Sequence, residues 1–160
     1  MDIRSAEIEI ANYLAAKLGA GYDVIPLPEK QSDYEKPFSK ARLTVAFAGE
    51  KPEMPQSTFQ VSQHVKQTYT ISVQSRFLNS TADVFGIGKL CDKVKSYLIG
   101  YQPTDGGLMY YVNHEFVRYE SGVWEHAIDF ETRTMRVQDN NVPEETGAPL
   151  SSISTNENFV

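Results

Sequence analysis

Between Val65 and Gly100 the spacing of the apolar residues changes from the period of a strand to that of a helix. Up to Phe77 apolar side chains occupy every second position, as in a half-buried strand. Beyond Ser80 they recur every three or four positions, at Val84, Ile87, Leu90, Cys91, Val94, Tyr97 and Leu98. This predicts a helix capped by Ser80, ended by Gly100 and about 28 Å long, lying across the sheet that contains the strand. We expect it to be the longest regular element of the chain.

A helix and two strands precede this stretch. A helical stripe of apolar residues covers Ile3–Leu18, with Asp2 at its start and Gly19 after its end. Tyr22–Leu27 predicts a short strand, which Pro26 and Pro28 confine to a sheet edge or terminate. Alternation over Ala41–Ala48 predicts a second strand, which ends at the glycine that follows.

The segments between these elements are polar. Glu29–Ser39 is irregular, and Tyr101–Gly107 carries the glycine and proline signals of a turn. Glu50–Ser62 contains two prolines and no apolar periodicity. Two interpretations of this last segment stand: a functional or mobile loop, and a plain connection between two strands.

Residues Leu108–Arg136 predict a hairpin that turns at Ser121-Gly122. The turn sets a register whose opposing pairs are Tyr119 with Trp124, Arg118 with Glu125, and His114 with Asp129. In this register Phe116 opposes Ala127 on the more polar face, a misfit that a β-bulge would remove. Six residues should meet beneath the helices: Trp124, Ile128 and Phe130 with Tyr69, Ile71 and Val73.

Composition limits the class of protein. The chain has 160 residues, 41% hydrophobic and 22% charged, which is typical of one soluble globular domain. Its net charge of −6 is opposite in sign to that of a dedicated nucleic-acid binder. The single cysteine excludes an intramolecular disulfide, and the sequence shows neither a secretory signal nor a long apolar span. We therefore expect a soluble protein made in a reducing cytosol.

The last part of the chain differs from the rest. Val137–Val160 has four charged residues, all acidic, among many Asn, Ser, Thr and Pro residues. Removing these four acids from the net charge of −6 leaves −2 for residues 1–136. We expect one folded domain over residues 1–136. Residues 137–160 should form an acidic flexible tail, disordered or extended along a partner.

The segment Phe85–Lys89, FGIGK, is similar to part of a phosphate-binding loop. That motif requires a glycine five residues before Gly88, where this chain has Asp83. It also requires a hydroxyl after the lysine, where this chain has Leu90. We interpret both glycines of the segment as sites of close packing against the first helix, and expect no nucleotide and no other cofactor.

The histidines and the cysteine lack the spacing of a metal site. No metal pattern is formed by His64, His114 and His126, and Cys91 has no partner at ligand spacing. The hairpin register places His114 and His126 on opposite faces. Cys91 belongs to the buried helical stripe, where a thiol behaves as a small hydrophobic side chain. We expect structural histidines, no metal and no catalytic residue.

Glu125, Asp129 and Glu131 share one face of the predicted hairpin. One interpretation is a solvated face whose acids pair with Arg118 and His114 across the strands. A second is an acidic surface past which DNA slides without binding, which requires a ring. A catalytic acid pair is the third, for which the sequence suggests no substrate.

Four local patterns spread over residues 1–136 support a resemblance to a known family. They are the helix Ile3–Leu18, the strand end VQSRFL at Val73–Leu78, the helix end YLIGYQP at Tyr97–Pro103, and the Gly-x-Trp turn within Phe116–Phe130. Together these patterns resemble the tail terminator proteins of long-tailed bacteriophages, particularly the Mu-like contractile-tail group.

The resemblance implies an α+β fold with a mixed, mainly antiparallel sheet flanked by two long helices. It further implies a non-enzymatic virion protein of the tail and neck, made in the host bacterial cytoplasm. Its subunits form a hexameric ring that caps the head-proximal end of the tail tube and sheath, meets the head–tail connector and lets DNA pass. The family has no catalytic residues to carry over. Another neck, head–tail completion or tube protein is the alternative, followed by a small enzyme or ligand-binding domain.

Overall fold

A five-stranded sheet carries its two longer helices on one face, and the short helix Gln31–Tyr34 lies on the other. The computed structural model describes residues 2–38, 40–55, 62–78 and 86–137. The elements are α1 (Ile3–Leu18), β1 (Tyr22–Pro26), α2 (Gln31–Tyr34), β2 (Ala41–Pro52), β3 (Ser62–Ser75), α3 (Ile87–Leu98), β4 (Tyr110–Glu120) and β5 (Val123–Val137). The strand order is β1-β2-β3-β5-β4, with β1 parallel to β2 and all other pairs antiparallel. The expected α+β fold with a mixed, mainly antiparallel sheet is confirmed.

The N-terminal elements agree with the sequence pattern. The side chain of Asp2 caps α1 by accepting a hydrogen bond from the backbone N–H of Ser5 at 2.8 Å. Gly19 follows the helix with a φ of 80°. β1 forms one edge of the sheet, as its prolines predict.

The helix after the central strand is shorter than predicted. α3 begins at Ile87 because Gly86 has an extended backbone and two glycines near this end weaken helix formation. With 12 residues α3 is shorter than the 16 of α1, so the expectation that it is the longest element is wrong. A Cβ added at Gly88 would meet nothing within 4 Å, so the predicted close packing at this residue is also wrong. The predicted cap, Ser80, lies outside the described residues.

The second and third strands extend further than the sequence indicates. A bulge between Phe47 and Gly49 lets β2 continue to Pro52, so the predicted strand end at this glycine is wrong. The segment Glu50–Ser62 is correspondingly part of β2 at its start and of β3 at its end. Residues 56–61 of this predicted loop lie outside the described residues.

The hairpin turn is confirmed, and its register is confirmed in part. Ser121 and Gly122 have φ values of 51° and 76°, and the pairs next to them, Tyr119 with Trp124 and Arg118 with Glu125, are as predicted. A bulge lies between Phe116 and Arg118, as the misfit of Phe116 indicated. It shifts the residues of β4 from Asn113 to Phe116 by one, so His114 opposes Ile128 and the predicted pairing with Asp129 is wrong. A second irregularity, between Tyr111 and Asn113, shifts the start of β4 by one more residue.

The core lies between the sheet and the two longer helices. Fully buried side chains from the strands, among them Tyr69, Ile71, Val73, Ile128 and Phe130, pack against α1 and α3 as expected, with Trp124 at their margin. Within the described ranges, none of the helices is both long and apolar enough to cross a membrane. The predicted flexible tail lies outside the described residues beyond Val137.

Candidate functional site

The outer strand of the sheet, β4, presents aromatic side chains to its surroundings. Tyr111, Phe116 and Tyr119 are 42%, 55% and 56% exposed. They oppose Phe130, His126 and Trp124 of β5, and opposing residues of antiparallel strands point to the same face. The three rings, with Trp124, therefore form one surface on the helix-bearing face, which we call the edge aromatic surface.

Contacts between rings join Phe116 and Tyr119 to Trp124 within the edge aromatic surface, whereas Tyr111 contacts the ring of Phe130. The ring centroids of Tyr119 and Trp124 are 4.4 Å apart, and those of Phe116 and Trp124 are 6.2 Å apart. Tyr111 receives the ammonium group of Lys95 over its ring at 5.2 Å. These contacts fix the side chains in place while leaving much of their apolar area exposed.

Cys91, His114 and His126 lie together where α3 meets the hairpin. His114 Nε2 and His126 Nδ1 are 2.8 Å apart, and a ligand atom from each of the three residues lies within 4.8 Å of the others. The prediction that the two histidines point to opposite faces is wrong. The bulge in β4 is the cause, because a shift of one residue turns a side chain to the other face of a sheet. The misfit of Phe116 was the only signal of this cluster in the sequence.

The surroundings of the cluster favour uncharged side chains. Burial lowers the pKa values of His114 and His126 below the ordinary 6.5 of imidazole, and the ammonium group of Lys95 lowers both further. Burial raises the pKa of the Cys91 thiol to about 12. Cys91 is therefore protonated near neutral pH and is not activated as a nucleophile, which agrees with its predicted role in packing.

The acidic residues of β5 each have a partner on the opposite, polar face of the sheet. Glu125 accepts hydrogen bonds from Arg118 Nε at 2.7 Å and from Ser72 Oγ at 2.8 Å. Burial acts to raise the pKa of Glu125, but the hydrogen bonds from Arg118 and Ser72 outweigh it, so this pKa lies below its ordinary value of 4.5. The predicted Arg118–Glu125 pair is thus confirmed.

The other two acids pair differently from the prediction. Asp129 accepts a hydrogen bond from Thr70 Oγ1 at 2.6 Å and does not face His114. Glu131 accepts one from the hydroxyl of Tyr110 at 2.6 Å. These contacts favour the interpretation of a cross-strand-paired face over that of a catalytic acid pair.

A cleft of about 350 Å³ opens on the polar face beside Glu125. Its wall includes Arg42, the second residue of β2, which is only 4% exposed although it is charged. Arg42 donates to Asp23 Oδ2 at 2.7 Å and to the carbonyl oxygens of Tyr34 and Lys36 at 2.9 and 2.7 Å. These bonds hold the segment after β1 against the sheet.

Comparisons with known proteins agree with this architecture. A family model described as Gp37 protein matches residues 10–158, and so includes most of the 137–160 segment. The fold is similar to that of a chain in the solved "Virion of native gene transfer agent (GTA) particle" at 14% identity and a TM-score of 0.50, covering 81% of this chain and 94% of that chain. Among curated proteins none matches. From the extent of the family match, the chain belongs to the Gp37 protein family.

Proposed function

We propose that this chain is a structural protein of a phage-like virion, and specifically a tail terminator subunit. Its subunits close into a hexameric ring that caps the head-proximal end of the tail tube and sheath and meets the head–tail connector. Three observations support this proposal: the Gp37 family match, the similarity of fold to a chain of a gene transfer agent virion, and the four sequence patterns described above.

The single observation that carries the assembly role is the edge aromatic surface. Large apolar side chains exposed side by side mark surfaces that bind other proteins. Aromatic rings supply large contact area at such interfaces, and here Tyr111, Phe116 and Tyr119 are all more than two-fifths exposed. An exposed edge strand also has unpaired backbone groups that a neighbouring chain can bind.

A closed ring requires each subunit to offer two different surfaces. The two edges of this sheet differ in the required way: β1 is short and packs against α1, whereas β4 has 11 residues and is exposed along nearly its whole length. One subunit can therefore bind the next through unlike patches. The net charge of −6 would let DNA pass through the ring without being held.

The direct test is the mass of the assembled protein in solution, measured by native mass spectrometry. We expect a hexamer for the unmodified chain. Phe116→Glu should shift the population toward monomer, because it places a charge in the apolar interface. The control is Ile8→Glu on α1, where the replaced side chain is also apolar and 42% exposed; it should leave the hexamer intact. A protein that stays monomeric at all concentrations would contradict the proposal.

A tail tube subunit is the second candidate, because tube proteins also form rings. Tube rings stack into long filaments, whereas a terminator stops growth. Electron microscopy of the purified chain separates the two: isolated rings support the terminator role, and long filaments would support the tube role.

A further inference from the structure

The cluster of Cys91, His114 and His126 has the composition of a metal site. A thiolate and two imidazole nitrogens are ligands that zinc prefers, and three protein ligands leave a fourth position for water. We propose that these three side chains bind a zinc ion that joins α3 to the β4–β5 hairpin. This proposal is independent of the terminator role, because it concerns how the chain is held together.

The distances require only small movements. In a tetrahedral zinc site with Zn–N bonds of 2.0–2.1 Å, two nitrogen ligands lie about 3.3 Å apart. The facing nitrogens of His114 and His126 are 2.8 Å apart and need to separate by about half an ångström. Ligand atoms within 4.8 Å of one another must approach to about 3.6 Å for a sulfur–nitrogen pair, which a change in side-chain torsion can supply.

The environment is that of a partly enclosed site. Cys91 is fully buried on α3, and His114 is half-buried, whereas the other residues of β4 are exposed. His114 lies on β4 and His126 on β5. Both imidazoles are already half-buried, so neither side chain has to move in from solvent. Neutral imidazole is the form that binds metal, and burial of both histidines favours it.

Two charged groups of α3 act on the site in opposite directions. The ammonium group of Lys95 disfavours a cation nearby, and the carboxylate of Asp92 favours one. The two side chains form an ion pair at 3.8 Å, which reduces the effect of each. Binding also releases the proton of the Cys91 thiol to the solvent, because a zinc ion deprotonates a thiol that coordinates it.

Zinc titration of the chelator-treated full chain tests this proposal. We expect one zinc ion per chain and a higher midpoint of thermal unfolding when zinc is present, since a metal that binds only the folded chain stabilises it. Cobalt in place of zinc should give a thiolate-to-cobalt charge-transfer band, which only a bound cysteine can produce. Unchanged thermal unfolding with zinc, or a cobalt spectrum without this band, would overturn the proposal.

The chain offers a matched control in its third histidine. His114→Gln and His126→Gln should each weaken zinc binding by about 100-fold or more, since loss of an outer partner of a metal ligand alone costs about 10–100-fold. His64→Gln, on β3 opposite Met135, should bind zinc as the unmodified chain does. Cys91→Ala should lose the cobalt band. If this variant fails to fold, the histidine variants decide, because equal zinc affinity in His114→Gln and His64→Gln overturns the proposal.

Discussion

At the scale of single residues, Arg42 shows what burial of a charge requires. The alternation in β2 predicts that Arg42 lies on the polar face, yet its side chain is covered by the segment after β1, which includes α2. The guanidinium group is stabilised there by Asp23 and by two backbone carbonyls, all within 2.9 Å. Sequence alternation gives the face of a residue but not what covers that face, so this burial could not be predicted.

Replacement of Arg42 by methionine should release this segment. Arg42→Met removes the charged hydrogen bonds, each contributing about 1.5–3 kcal/mol, so we expect the free energy of unfolding to fall by at least that amount. Urea denaturation measures the loss, and amide exchange should rise over residues 30–38. The control is Arg76→Met. Arg76 also contacts Phe38 but is exposed, so this variant should lose less free energy of unfolding than Arg42→Met. Equal losses in the two variants would contradict this account.

The cap of α1 gives a pH dependence at the same scale. Hydrogen bonds from Ser5 lower the pKa of Asp2 below its ordinary value of 3.8, so the folded state favours the carboxylate. The stabilisation is present above pH 3.8 and is lost as the pH falls through the lowered pKa. Asp2→Asn keeps a capping side chain that does not titrate. Between about pH 6 and about pH 2, urea denaturation should show that the unmodified chain loses more stability than Asp2→Asn. Parallel curves of stability against pH would contradict the prediction.

At the scale of elements, the turn of the hairpin depends on two residues with positive φ. Gly122→Ala should lower the free energy of unfolding by about 1–2 kcal/mol, because a side chain disfavours the left-handed conformation. No neighbouring atom lies within 4 Å of the added Cβ, so the cost is conformational. Ser121→Asn should raise the thermal midpoint, since Asn-Gly is the preferred pair in such turns. A neutral Gly122→Ala would contradict the assigned turn.

The elements themselves were largely predictable, whereas the departures from regularity were not. α1, the edge position of β1 and the hairpin turn follow from periodicity, caps and turn residues. A bulge adds one residue without changing the average alternation, so it displaces every pairing of β4 farther from the turn, and the misfit of Phe116 was its only trace in the sequence. That single residue separates the expected His114–Asp129 pair from the observed meeting of His114 and His126.

At the scale of the whole molecule, the described part of the chain has the features of a building block. The acids of β5 are paired across strands, the cysteine is buried, and the exposed aromatic side chains lie on one edge strand, β4. The proposed assembly role depends on the edge aromatic surface, whose function would be to bind a second chain. Sequence periodicity cannot identify such a surface, because exposed aromatic residues on an edge strand follow the same alternation as buried ones.

The proposed terminator role is tested most directly by electron microscopy of tail tubes and sheaths assembled without this protein, before and after the purified chain is added. We expect rings at one end of each tube and an end to further growth, with Phe116→Glu failing to cap and Ile8→Glu capping normally. Tubes that keep growing, with no added density at either end, would contradict the account.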